Sequence, residues 1–435
     1  PGALQGSYTF TSLANLERGA YQQFQQAFGN PSVVQSNPNA GVFIQDEWHP
    51  RGAITVTAGL RYDLQWLPDP VALDTNNVSP RLGIAWAPGD GRTVVRASGG
   101  VYFDRIPLRA VSNALQRDGI DYKIALMSAS QPGAPVFPAV LGEFPDTLLT
   151  AVTSIDPQIQ NGRSNQLGVQ VERALGAGAS VTAGYTYLRG RQIIMSRNIN
   201  VPALTPAEAA ALGVPNLGRP DPAFGNISQY QSIGDSWYDG LTLALSTRQA
   251  RWGRARVSYT LSKAFDTAGN AFFQTPQDND DIAAEKGPSD NDQRHRLVVS
   301  GTFGGRSGGA AIGRAMGGLE VGVVLSMATG APFNVVAGSD LNNDTNNNDR
   351  PAGVGRNSAR LPSSSTVDVR LSRDFGVGGG SRLELLIEAF NVLNHVNILN
   401  VNNTFGTGLM PLPSFGRPTL AGDPRQIQLG ARWRF

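Results

Sequence analysis

The chain has 435 residues, 40% of them hydrophobic and 16% charged, with 51 glycines, no cysteine and a formal net charge of +2. Soluble domains carry roughly a quarter charged residues, so this surface is poor in charge, and the lack of cysteine excludes disulfides and thiolate metal sites. Lysine is confined to Lys123, Lys263 and Lys286, and there is no basic block of the kind nucleic-acid binders carry, so no nucleic-acid partner is expected.

No apolar run reaches the ~18–20 residues of a membrane helix. The richest, 383–393, is interrupted by Glu384 and Glu388. Alternation with a period of two dominates instead. Fourteen strands are predicted near 6–12, 41–49, 53–65, 80–88, 92–104, 164–174, 178–190, 236–249, 253–264, 293–304, 318–329, 364–375, 381–393 and 425–435. In 53–65 the apolar set Ile54, Val56, Ala58, Leu60, Tyr62 and Leu64 alternates with Thr55, Thr57, Gly59, Arg61 and Asp63. The last strand sets Ile427, Leu429, Ala431, Trp433 and Phe435 against Gln428, Gly430, Arg432 and Arg434. Successive side chains of a strand point to opposite faces, so each segment has one apolar and one polar face. Most segments run ~9–13 residues, the reach of a tilted strand across a bilayer.

The connections alternate between short and long. Short ones fall at 49–53, 88–92, 175–178, 249–253, 304–318 and 376–381; long ones at 13–40, 66–79, 105–163, 191–235, 265–292, 330–363 and 394–424. Outer-membrane barrels sort their loops this way, with short periplasmic turns and long extracellular loops. Two long connections carry helix signals, 13–28 by its apolar spacing and Thr205-Pro206-Ala207-Glu208 as a capping box. The chain starts at Pro1 with neither a methionine nor a signal peptide, which reads as a mature form or a fragment.

Several motifs resemble those of TonB-dependent outer-membrane receptors. Phe43-Ile44-Gln45-Asp46-Glu47-Trp48 followed by Thr57-Ala58-Gly59-Leu60-Arg61-Tyr62-Asp63 is similar to one hairpin of that family. Pro80–Trp86 with Val95–Phe103 is similar to the next. Tyr259–Asp266, Asp292–Arg296 and Phe390–His395 resemble the Oar-like branch, which often carries a carboxypeptidase-regulatory-like domain. The resemblance spans 41–435. It implies a 22-stranded barrel with an N-terminal plug and a TonB-contacting box, of which this sequence shows neither plug nor box and about eight strands fewer.

The expected fold is therefore all-β: an antiparallel transmembrane barrel segment of about fourteen strands over 1–435, in the outer membrane. The resemblance implies energy-coupled uptake of a large or scarce solute, with lipid, TonB and the barrel-assembly machinery as partners. A self-contained passive channel and an adhesin with binding loops are the alternatives. No enzyme activity is expected, because no G-x-S-x-G or similar motif occurs. His49, His295 and His395 lie near different strand ends without metal-ligand spacing.

Candidate functional residues follow from the pattern. Arg61, Asp63, Arg256, Asp368, Arg370, Glu384 and Arg432 sit at polar positions and would line a wet lumen, or pair across strands to brace the wall. Trp48, Trp66, Trp86, Tyr185, Tyr187 and Trp433 read as interfacial girdles. Phe435, with Trp433 and Leu429, resembles the terminal signal read by the assembly machinery. Asp340, Asn342 and Asp344 alternate as calcium-loop oxygens do, but Thr345 stands where glycine is needed and no glutamate follows at the twelfth position, so a solvated turn is the favoured reading. No resident cofactor is expected apart from that candidate loop calcium.

Overall fold

The computed structural model describes residues 4–176, 178–250, 253–270, 272–304 and 318–435. Thirteen long strands form one antiparallel path in which every neighbour in sequence is a neighbour in the sheet. They are β1 Asn39–Arg51, β2 Ile54–Gln65, β3 Val78–Trp86, β4 Thr93–Phe103, β5 Arg163–Gly176, β6 Ala179–Asn198 and β7 Phe224–Ala250. The path continues through β8 Gly253–Asp266, β9 His295–Gly304, β10 Leu319–Ala328, β11 Ser364–Gly378, β12 Ser381–Phe390 and β13 Gln426–Arg434. No helix of the described residues is long and apolar enough to cross a membrane, so any crossing is by strands.

The alternation in the sequence becomes two faces through the register. One row reads Trp48, Val56, Ile84, Ala97, Val169, Tyr185, Leu241 and Leu261 across β1 to β8. The adjoining row on the other face reads Arg96, Gln170, Gly184, Thr242, Thr260 and Arg296. Apolar residues of the first kind stand in the open, as Val42 at 67% and Trp48 at 61% exposure illustrate. The buried apolar cluster lies elsewhere: Ile106, Val111, Ile155 and Ile159 of the 104–162 connection pack against Ile194 of β6 and Tyr230 of β7. A contiguous exposed apolar face of this size needs a non-aqueous neighbour.

The predicted strand near 6–12 is not part of the wall. Ser7–Thr9 pairs with Gln23–Gly29, which pairs in turn with Tyr122–Ser128 in a separate three-stranded sheet. Its centre is Phe24, fully buried beside Met127. The helix expected over 13–28 is correspondingly short, α1 Leu13–Glu17, because Gly19 turns the chain at φ +66° and the alternating Gln23–Gly29 segment finds a strand partner. Because the β1–β2 connection is a short turn, β1 enters from the long-connection side. Residues 4–38 therefore gather with 104–162, where α2 Leu108–Gln116 also lies.

The wall also extends further than the sequence pattern indicated. β6 and β7 run on to Asn198 and back to Phe224, narrowing the 191–235 connection to 199–223. A register shift at Arg191–Ile193, with Gln192 at φ +58°, carries the ladder past the point where alternation breaks. α3 Pro206–Leu212 in this connection has the capping box, Thr205 accepting from the Glu208 amide and Glu208 from the Thr205 amide. The β11–β12 turn needs glycine: Gly378, Gly379 and Gly380 all have positive φ. The short connection at 304–318 has its interior, 305–317, outside the described residues, as do Ala177, Arg251 and Trp252 in two other turns.

Candidate functional site

The polar face is the concave one. It encloses a cavity of about 1120 Å³ lined by Arg96, Glu172, Arg254, Arg256, Asp368 and Arg370, among hydroxyl and glycine positions. Strand parity aims these side chains inward: Arg254 and Arg256 are two residues apart on β8, Asp368 and Arg370 two apart on β11, and the Arg96–Gln170 register puts Arg96 and Glu172 on one face.

Three of the predicted polar residues, Arg370, Glu384 and Arg432, form one cluster. Glu384 on β12, with only 10% of its side chain exposed, lies 3.1 Å from Arg370, 3.6 Å from Arg432 and 2.6 Å from Arg434. Arg370 also approaches Glu388 at 3.6 Å. Asp368 is near in sequence but serves another end, its carboxylate accepting from the Asn391 amide at the head of a long connection at 2.8 Å. Arg256 shares a cross-strand row with Asp368 through Ser300 and Val324, three strand spacings away, so the two do not touch. Arg61 and Asp63 stand apart on β2, joined by two bonds of 2.6 and 2.7 Å.

Sequence reading missed several participants. Arg96 and Glu172 pair at 3.1 Å between β4 and β5. Both are visible as alternate polar positions within their strands. The ion pairs that clamp two long connections together were not legible. Arg350 meets Glu285 in a two-bond pair, both side chains under 8% exposed. Arg356 lies 2.6 Å from Asp266 and 3.7 Å from Asp290, and Arg360 bonds the fully buried Asp292. Charge-assisted pairs of this kind fix the 267–294 and 329–363 connections relative to each other.

The Asp340–Asp349 loop is folded on itself. Asp340 accepts from the amides of Asp344 and Thr345, Asn342 from Asp344, and Asp344 from Asn346 and the Asn279 side chain. Burial, with Asp340 and Asp349 adding repulsion, holds the Asp344 carboxyl above its ordinary value of 3.8, although bonds from Asn346 pull the other way. Among the described residues no group of three or more His, Asp or Glu converges as a metal cluster. At the far end, Leu429 and Trp433 share the apolar face of the last strand, opposite Ile387 and Leu383, and Phe435 follows fully exposed. The histidines are scattered; His295 bonds Tyr259 at 2.7 Å on the apolar face.

A sheet with one exposed apolar face and one wet concave face, crossing by strands, defines an outer-membrane β-barrel. The chain belongs to the family described as outer membrane beta barrel domain, whose model matches residues 68–355 and 352–428. It lies in the outer membrane. It is similar to the TonB-dependent transporter Oar of Myxococcus xanthus, 23% identical over 94% of this chain and 40% of Oar. Among solved structures it is similar to the outer membrane transporter YddB of Escherichia coli, with a TM-score of 0.59, 14% identity and coverage of 91% of this chain and 45% of YddB. It is also similar to the ferric enterobactin receptor PfeA of Pseudomonas aeruginosa, with a TM-score of 0.54, 12% identity and coverage of 94% and 50%. The chain thus spans half or less of the length of these relatives.

Proposed function

We propose that this chain is barrel wall of a TonB-dependent transporter that takes up a large or scarce solute. The observation that carries the reading is the wet concave face, on which Arg254 and Arg256 have no carboxylate within 4 Å among the described residues while Arg96 and Arg370 on the same face are paired. Paired residues brace the wall; unpaired arginines are available to a plug or a solute. In this reading Arg61, Asp63, Arg256, Asp368, Arg370, Glu384 and Arg432 line the lumen. The clamped long connections receive the solute, and TonB pulls a plug seated in the complete cylinder to open the path. Phe435, Trp433 and Leu429 are read by the assembly machinery. No bond is made or broken. Calcium at Asp340, Asn342 and Asp344 is not part of the reading, because those oxygens already accept from loop amides and Asn279.

The end strands support a wall larger than this one over a self-contained channel. Among the described residues no pairing joins β1 to β13, and both strands are exposed almost throughout. An unpaired strand edge in hydrocarbon leaves backbone groups unsatisfied at several kcal/mol each. The test is growth of a deletion strain on a panel of large or scarce solutes, with and without a protonophore. Loss of uptake of one solute, abolished equally by the protonophore in the parent strain, is expected. Uptake that the protonophore leaves intact would favour the passive channel.

A further inference from the structure

The apolar face is not uniformly apolar. On β6 to β8 its middle rows are Val181, Ala183 and Tyr185, Leu245, Leu243 and Leu241, and Val257, Tyr259 and Leu261, without a charge. Further toward the long connections the same face turns cationic. Arg189, Trp237 and Phe265 share one row, with Lys263 one step back toward the turns. The Arg189 guanidinium lies 4.5 Å from the Trp237 ring centre, the Lys286 ammonium 4.3 Å from the same ring, and the Lys263 ammonium 4.7 Å from Phe265. Two of the three lysines in the whole chain are thus placed here, and neither has a carboxylate within 4 Å among the described residues.

Height along the wall can be worked out from the strand. Trp237 is ten residues from Thr247 near the β7–β8 turn. At about 3.3 Å per residue and a tilt near 40°, that is about 25 Å of height, the thickness of the apolar band of an outer-membrane barrel. The cations therefore stand at the outer headgroup level. One row further out Arg191 lies directly opposite Arg163. Like charges opposed across a ladder repel, and an anion between them removes the penalty. Among the described residues two carboxylates of this face stand near: Asp235, opposite Arg191 and 3.7 Å from Arg189, and Asp239, opposite Lys263 and accepting from the Tyr185 hydroxyl. Five cations face two carboxylates, and the rings hold the ammonium groups with their remaining donors free.

We propose that this rim patch binds the phosphate groups of a phosphorylated lipid of the outer leaflet. Phosphate oxygens match both the arginine fork and the point charges of lysine. A lipid anchored in the leaflet delivers them at the height of the patch, where its acyl chains cover the leucine rows below. The rings lie where a headgroup meets acyl chain, the place amphipathic aromatics prefer.

The test uses the full chain in phosphatidylcholine nanodiscs doped with bisphosphorylated lipid A or with its dephosphorylated counterpart. Retained copies of each lipid after transfer to detergent are counted by native mass spectrometry. Preferential retention of the phosphorylated lipid is expected. The Lys263→Ala/Lys286→Ala variant should lower it by about tenfold or more, since a single lost charge-assisted contact is worth about tenfold and two are removed. Lys263→Arg/Lys286→Arg should keep it, which separates charge from folding, as should Arg173→Ala on the same face beside the β5–β6 turn. Equal retention of the two lipids, or an alanine variant that retains as well as the parent while showing its β-sheet circular dichroism, would overturn the proposal. Displacement by inorganic phosphate at equal phosphate concentration would assign a free-anion site and overturn the lipid as its source.

Discussion

Placing arginine at Leu243 and, separately, at Thr242 compares the two faces one residue apart on the same strand. Leu243 sits between Ala183 and Tyr259 on the apolar face, four residues from Thr247 and six from Trp237, so it lies near the middle of the band. Arginine on the lipid face at that depth costs about 2–4 kcal/mol. Thr242 sits between Gly184 and Thr260 on the concave face and touches the Thr260 hydroxyl at 3.2 Å. Arginine there loses that contact, on the order of 0.5–1 kcal/mol, and finds room over Gly184. Leu243→Arg should therefore be the more destabilising by roughly 2 kcal/mol. The measurement is reversible urea unfolding of the protein in phosphatidylcholine vesicles, followed by tryptophan emission. Equal costs, or a larger cost at Thr242, would refute the assignment of the faces. The neighbouring pair Val369→Arg and Asp368→Arg is a poorer comparison, because Asp368 accepts from the Asn391 amide and its replacement also frees that amide.

Other substitutions probe the clusters. Glu384→Gln leaves three arginines without their shared carboxylate; since those arginines are 41–60% exposed, about 1–2 kcal/mol of unfolding free energy should go, read by the same titration. Glu285→Gln strands the buried Arg350 and should cost about 3–5 kcal/mol locally, seen as faster hydrogen exchange in 267–294 and 329–363 with the wall unaffected. The Asp344 carboxyl is raised in the fold, so the folded loop keeps a proton that the opened loop gives up. That stability is fully present below the ordinary value of 3.8 and is lost as pH rises through the raised one. Exchange protection of 340–349, corrected for intrinsic rates, should fall as pH rises from 3.8 through the raised value in the parent and stay level in Asp344→Asn. Thr205→Ala removes the cap of α3 and should cost that helix about 1 kcal/mol, measured by local exchange.

Much of this protein is decided within a few residues of chain. Side chains alternate because a strand is pleated, so the lists Ile54 to Leu64 and Ile427 to Trp433 already separated the apolar face from the polar one. The Thr205–Glu208 cap and the glycine turn at 378–380 are equally local, each requiring only its own backbone conformation. Pairing is different, because it joins segments far apart in sequence. Nothing within 6–12 distinguishes a wall strand from one that leaves for Gln23–Gly29, and which was chosen depends on the burial of Phe24 against Met127. The meeting of Arg370, Arg432 and Arg434 on Glu384 draws on three strands. The clamps from Arg350, Arg356 and Arg360 join two long connections whose charges carry no period. Periodicity reports the faces of an element, whereas the partner on each face is fixed only when the sheet closes the distance between them.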